Sequence, residues 1–136
     1  MIAGPTIGRI LAEYGAEVLR ITNSNTPDVP FFQIDGNMGK RVADLDLKTD
    51  KGREQFAELL ADADVLIDGY RPEVLDRLGY GSDMLVALAE QRGKGIVYVD
   101  ETCFGHTGEW AGRPGWQQIA DCVSLSCLDL RSFLCS

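Results

Sequence analysis

Apolar residues recur at helical spacing in some segments of the chain and form short continuous runs in others. The spacing of Ile7, Ile10 and Leu11 predicts a first helix, with Pro5 in its first position and Gly15 as its C-terminal cap. Further helices are predicted after a Thr49 or Asp50 cap, from Pro72 to Gly79, after a Ser82 cap, and from Trp116 onward. The apolar runs predict strands at 16–21, 41–47, 64–67 and 95–100.

Helices and strands therefore alternate along the chain, and this order predicts an α/β fold. Short apolar strands separated by helices pair in parallel through right-handed crossovers. Two long segments, 22–39 and 103–115, are rich in glycine, proline and small polar residues and are predicted to be loops. Because long loops are often functional and ligands bind at the carboxyl ends of parallel strands, we expect a binding site at that edge.

The composition is that of an ordinary soluble globular domain, with 45% hydrophobic and 25% charged residues. No apolar run reaches the roughly 18 residues that a membrane-spanning helix needs. The first residues lack the features of a secretory signal or a transit peptide, so we expect a cytoplasmic protein without membrane association. The 21 acidic residues against 13 basic ones give a net charge of −8, which argues against a nucleic-acid partner. An anionic small ligand would require cations clustered locally.

Cysteine and histidine are too sparse in the sequence to suggest a metal centre. The four cysteines include no C-x-x-C pair, and His106 is the one histidine of the chain. Structural zinc sites are usually built from such pairs. We therefore expect no metal site, and we interpret the cysteines as free thiols in or near the core.

Four ordered motifs give the chain a resemblance to a known family. They are A-G-P-x-x-G, G-K-R-x-x-x-L-D-L-K, R-P-x-x-x-x-R-L-G, and a glycine loop before R-P-G. They fall in the stretches 3–21, 37–81 and 95–124, and in this order they resemble CoA-transferase family III, which includes formyl-CoA and carnitine CoA-transferases. The resemblance implies a Rossmann-like parallel sheet with flanking helices, here an incomplete large domain of that fold.

The resemblance also implies an activity and a set of binding residues. In the family, an aspartate carboxylate attacks the thioester of an acyl-CoA, and CoA passes to a carboxylic acid. CoA is thus a substrate, and no permanently bound cofactor is implied. The residues that match positions at the CoA site are Ile2, Ala3, Leu45, Asp46, Leu47, Lys48, Gly69, Tyr70, Arg71, Arg77 and Gln117.

The phosphates of CoA, a 3′-phosphate and a diphosphate, must be offset by local cations in so acidic a chain. Candidates are Lys40, Arg41, Lys48, Arg71 and Arg77. Arginine offers a planar fork that matches phosphate, whereas lysine offers a point charge. Taken alone, each of these residues also fits a solvated surface charge. Tyr70 is expected to pack beside the adenine or the pantetheine.

Two departures from the family pattern change what we expect of this chain. The strand that normally precedes A-G-P is missing or vestigial in a sequence that begins at Met1. After Ser124 the family continues toward the aspartate nucleophile, whereas residues 125–136 fit nothing in that pattern. We therefore divide the chain into a family part, 1–124, and a non-family tail, 125–136. We expect no catalytic residue in either part, and we interpret Asp129 as a solvated tail residue.

Other interpretations of the same motifs stay open at this point. A non-catalytic fragment that binds CoA weakly, or that associates with a full-length partner, would carry them too, since family members form interlocked homodimers. A stand-alone flavodoxin-like module explains the alternation but not the ordered motifs. Gln117 stands where formyl-CoA transferases have an acidic residue, and glutamine cannot act as a base. The racemase branch has a histidine where Trp116 stands, so acyl-CoA epimerisation is disfavoured.

Overall fold

Helices and strands follow one another in the order that the apolar pattern predicts. A computed structural model describes residues 3–26 and 34–115 of the chain. The elements are α1 (Ala3–Glu13), β1 (Val18–Thr22), β2 (Lys40–Asp44), α2 (Asp50–Asp62), β3 (Val65–Asp68), α3 (Val74–Arg77), α4 (Ser82–Arg92) and β4 (Val97–Asp100). The helix predicted from Trp116 lies outside the described residues.

The strands pair in parallel, which confirms the predicted α/β class. β1 pairs with β2 from Val18 opposite Lys40, and β3 pairs with β4 from Val65 opposite Val97. In the described part of the chain these pairs form two two-stranded sheets. Helix α1 contacts β1, β2 and β3, and so it lies against strands of both pairs. None of the helices within the described ranges is long and apolar enough to cross a bilayer.

Two glycines that were predicted to end helices do so. Gly15 has φ 93°, a left-handed conformation that glycine adopts without a steric penalty. Its N–H donates to the carbonyl of Ala12, and the next N–H donates to Leu11, each at 3.0 Å. Gly79 has φ 88°, and the same double hydrogen bond forms behind α3. Both ends are Schellman motifs, in which the last carbonyls of a helix receive donors.

The predictions of helix starts were correct in one case and displaced in others. Thr49 is the N-cap of α2, and its hydroxyl accepts a hydrogen bond from the N–H of Gly52 at 3.1 Å. The Ser82 cap was wrong, because Gly81 occupies the cap position and gives no side-chain bond. Pro5 is the third residue of α1 rather than its first, a position where its missing N–H still costs nothing.

The core gathers side chains from the turn after β2 and from helices α2 to α4. Its buried members are Leu45, Leu47, Phe56, Leu60, Leu75, Tyr80 and Leu85. Phe56 meets Tyr80 edge to face, with ring centroids 4.8 Å apart, and the Tyr80 hydroxyl donates to the carbonyl of Arg53 at 2.6 Å. Leu59, next to the buried Leu60 in α2, stays 39% exposed.

Arg92, in the last turn of α4, ties that helix to the end of α2. Its guanidinium donates to the carbonyls of Leu60, Ala61 and Ala63 at 3.0, 3.1 and 2.8 Å, and to that of Gly95 at 3.4 Å. The last carbonyls of a helix have no partner within it and carry partial negative charge. Arg92 therefore caps α2 and fixes the approach to β4 with one side chain.

Candidate functional site

The first turn of α1 lies against the turn that follows β3. A Cβ placed on Gly4 would lie 3.9 Å from the Cα of Gly69 and 4.0 Å from a methyl of Ile67. The Nζ of Lys40, at the start of β2, donates to the carbonyl of Pro5 at 2.6 Å. Burial, and then the charge of Arg20, lower the pKa of Lys40. Two predicted site segments, at Ala3 and Gly69, are thus neighbours, because Ala3 directly precedes Gly4 in α1.

The turn after β2 carries four of the predicted site residues, and most of its polar groups already have partners. A carboxylate oxygen of Asp46 accepts from the N–H of Lys48 at 3.0 Å, and its carbonyl accepts from the N–H and the hydroxyl of Thr49. A Cβ on Gly52 would overlap that carbonyl. Leu45 and Leu47 point their side chains into the core, so a ligand could meet only their main chain.

The turn after β3 brings Tyr70 and Arg71 to the surface beside α3. The N–H of Val74 donates to the carbonyl of Arg71 at 3.2 Å, and Glu73 has φ 65° and ψ 3°. With proline at the second position, this geometry is a type II turn. Tyr70 is 53% exposed, and Arg71 is exposed as well.

Three predicted cations, two at these turns and one at the end of α3, have no acidic partner within residues 3–26 and 34–115. Lys48, Arg71 and Arg77 are exposed, and none of them forms an ion pair there. By contrast, Arg41 forms an ion pair with Glu17 at 2.7 Å, and the Nζ of Lys40 donates to a carbonyl of α1. The three unpaired cations are therefore the ones available to the phosphates of a ligand.

A buried carboxyl group, which the motifs did not predict, lies under the turn after β3. Asp68, the last residue of β3, is 5% exposed. One of its oxygens accepts from the N–H of Tyr70 at 2.8 Å, and the other accepts from the hydroxyl of Tyr98 at 3.0 Å. Burial raises the pKa of Asp68, the two hydrogen bonds oppose that shift, and Asp100 and Asp76 add to it. Burial and Asp68 itself raise the pKa of Tyr98, which therefore stays a hydroxyl donor.

The sequence offered only a weak signal for the buried Asp68 and none for its hydrogen bond with Tyr98. Asp68 and Asp100 each end a short apolar strand, and the register places them side by side. Nothing near Tyr98 in the sequence shows that its hydroxyl reaches a strand thirty residues away.

The loop after β4 completes the described edge. A ring nitrogen of His106 lies 3.4 Å from a carboxylate oxygen of Asp100. Phe104 meets Trp110 with ring centroids 5.5 Å apart, and the guanidinium of Arg113 lies 4.1 Å from the Trp110 ring. Across residues 3–26 and 34–115, no three His, Cys, Asp or Glu side chains come together as a metal site would need. The predicted site residues Ile2 and Gln117 lie outside the described residues, as does Asp129.

Comparison with known proteins gives a consistent result over nearly the whole chain. The model of CoA-transferase family III matches residues 1–128. The chain is 45% identical over 126 residues to the acetyl-coenzyme A transferase nodX of Hypoxylon pulicicidum, covering 92% of this chain and 21% of that protein. An acyl-CoA transferase of Gibberella moniliformis is 43% identical, with 91% and 22% covered. The crystal structure of a CAIB/BAIF family protein from Brucella suis superposes with a TM-score of 0.76 and 29% identity, over 90% of this chain and 35% of that one.

Proposed function

Since this chain belongs to CoA-transferase family III, we propose that it contributes the CoA-binding part of an enzyme that moves CoA from an acyl-CoA thioester to a carboxylic acid. The observation that carries the proposal is the meeting of α1 and the turn after β3 at the carboxyl ends of parallel strands, where Arg71 is exposed and has no acidic partner within residues 3–26 and 34–115. Ligands of open parallel sheets bind at that edge.

The proposed binding residues divide by what they can offer a CoA molecule. Arg71, Arg77 and Lys48 would meet the phosphates with charged donors, and Tyr70 would pack beside the adenine or the pantetheine. Other proposed residues would supply van der Waals contacts and main-chain hydrogen bonds, namely Ala3, Gly69 and the main chain of Leu45, Asp46 and Leu47. Ile2 and Gln117 are retained as proposals from the resemblance alone. In this scheme CoA is a substrate and not a resident cofactor.

The chain spans only 21–22% of the two fungal relatives and 35% of the solved bacterial protein. We propose that the aspartate nucleophile is not among its residues, and that the family part ends near residue 124. Mixed with an acyl-CoA and a carboxylic acid, the purified chain should therefore show no exchange of CoA between acids by mass spectrometry. Turnover well above a blank without protein would contradict this part of the proposal.

Calorimetric titration with CoA tests the binding part directly. Arg71→Ala and Arg77→Ala should each weaken the affinity at least about tenfold, because a hydrogen bond to a charged group contributes about 1.5–3 kcal/mol. Lys94→Ala removes a cation that pairs with Asp64 at the amino ends of β3 and β4, the edge opposite the proposed site, and serves as the matched control with unchanged affinity. Equal affinities for all three variants would refute the assignment of the site.

Two finer features of the proposal concern where and how the protein works. A cytoplasmic location agrees with the thiol of Cys103, which forms no disulfide within the described residues. A homodimer agrees with the apolar side chains that the strand pairs leave exposed, among them Val42 at 56% and Val97 at 58%. Fractionation of the cells that produce the protein, and sedimentation of the purified chain, test these two points.

A further inference from the structure

Asp68 is the one buried charged side chain in the part of the chain that the structure describes. It ends β3, immediately before the turn Gly69–Tyr70–Arg71, and all of its oxygens are engaged. Its carbonyl accepts from the N–H of Glu101 at 2.8 Å, beside the end of β4. Its two carboxylate oxygens accept from the N–H of Tyr70 and from the hydroxyl of Tyr98.

This arrangement does not serve stability well. A carboxylate that leaves water loses solvation, and a cation beside it normally offsets the loss. No cation pairs with Asp68 in the described residues, and the acidic neighbours Asp100 and Asp76 oppose its charge further. An amide side chain would fill the same space and could keep both hydrogen bonds without burying a charge. Buried charged groups that lower stability are typical of functional sites.

What the carboxylate does is to fix the main chain of the turn. The Asp68 carboxylate accepts a hydrogen bond from the N–H of Tyr70, two residues later. This arrangement is an Asx turn, and it holds the backbone in one conformation. The Tyr98 hydroxyl anchors the carboxylate from the opposite strand of the pair, so the turn is tied to β4 as well as to β3. The side chains of Tyr70 and Arg71 therefore extend from a backbone whose conformation is fixed.

We propose that Asp68 is a positioning residue of the CoA site, which holds the turn Gly69–Tyr70–Arg71 in its binding conformation through the Tyr70 N–H, with Tyr98 as its anchor. This inference rests on the proposed function. A turn that is ordered before the ligand arrives loses less conformational entropy on binding. If that order is lost, the affinity falls although no contact to CoA has been removed.

Three variants of the full chain, titrated with CoA by calorimetry, test the proposal. Asp68→Ala should weaken affinity about tenfold, because the turn loses its acceptor. Asp68→Asn should restore near-original affinity, because the amide oxygen still accepts from Tyr70 and the amide N–H₂ can donate to the Tyr98 oxygen. Tyr98→Phe leaves the carboxylate without its anchor and should weaken affinity about threefold. If Asp68→Ala or Tyr98→Phe binds CoA as tightly as the original chain, the proposal is wrong.

A merely structural role for Asp68 would give a different pattern. Arg92→Ala destabilises the chain far from the turn, so it should lower the melting temperature and leave the affinity unchanged. If affinity simply follows melting temperature across all variants, Arg92→Ala included, positioning is refuted. If Asp68→Ala does not fold, amide hydrogen exchange in Tyr98→Phe replaces it. There the Tyr70 N–H should exchange at least about fivefold faster, and unchanged protection refutes the proposal.

The test separates this proposal from the one on which it rests. If Arg71→Ala weakens CoA binding while Asp68→Ala does not, the CoA site stands and the positioning role falls. If the original chain binds no CoA, the proposed function fails and the positioning role fails with it.

Discussion

Glu73 has φ 65°, and no other non-glycine residue of the described ranges has a positive φ. A side chain in the left-handed region costs about 1–2 kcal/mol, and the third position of a type II turn favours glycine for that reason. Glu73→Gly should raise the free energy of unfolding by about 0.5–1 kcal/mol after the added flexibility of the unfolded chain is allowed for. Urea denaturation measures the change.

The matched control for that substitution is Glu58→Gly. Glu58 is exposed in the middle of α2, where glycine costs about 1 kcal/mol, so the same change of residue should act in the opposite direction. A loss of stability at both positions would show that Glu73 is not strained.

Asp68 should make stability depend on pH, in a direction that its raised pKa fixes. The folded state binds the proton of this carboxyl more tightly than the unfolded state does, so protonation stabilises the fold. That stabilisation is complete below the ordinary pKa of aspartate and is lost as pH rises through the raised value. Asp68→Asn should therefore increase the free energy of unfolding at neutral pH, and the gain should shrink as pH falls toward 4.

Denaturation curves at several pH values measure this difference. The exposed Gln91→Ala is the control, because it changes no titratable group and should give no such trend. A gain for Asp68→Asn that stayed constant from pH 4 to pH 8 would mean that the carboxyl is not desolvated as described.

At the scale of single elements, Arg92 joins α4 to the end of α2. Arg92→Ala would leave carbonyls of α2 without donors and should lower the free energy of unfolding by about 2–3 kcal/mol. Arg41→Ala removes an arginine whose ion pair with Glu17 is exposed on both sides, and it should cost less than about 0.5 kcal/mol. Chemical denaturation of both variants is the measurement, and equal losses would contradict the capping role.

Element boundaries followed from the sequence where local chemistry decides them. Gly15, Gly79 and Thr49 end or begin helices through hydrogen bonds to residues within five positions. The two glycines were predicted correctly, and Thr49 was one of the two caps predicted for α2. The Ser82 cap was wrong because the glycine before it adopts the cap conformation equally well.

The candidate site could be predicted by segment but not by interaction. The motifs named the turns after β2 and β3, and the structure shows that the Gly69 turn adjoins the start of α1. They did not reveal that Leu45 and Leu47 are core residues, nor that Asp68 bonds to Tyr98. Both facts depend on contacts between distant parts of the chain, which spacing along the sequence does not report.

At the scale of the whole molecule, apolar side chains remain exposed on both strand pairs. Val42 on β2 and Val97 on β4 are each more than half exposed. Such surface favours association, so sedimentation velocity should show larger species as protein concentration rises. Val42→Lys and Val97→Lys should each shift the distribution toward the monomer, since a charge there resists burial.

The control for these substitutions is Gln91→Lys, which adds the same charge at an exposed polar position and should leave the distribution unchanged. An equal shift in all three variants would attribute the effect to net charge alone.

The pairing of β3 with β4 also has a consequence for the order of events during synthesis. Val65 meets Val97 only after the ribosome has released the helices α3 and α4 that lie between them. Until then β3 emerges with an unbonded edge, and Asp68 has no Tyr98 to bind. Nascent chains that lack β4 therefore expose an unpaired strand edge, which favours association, and this strand pair can close only once β4 has left the ribosome.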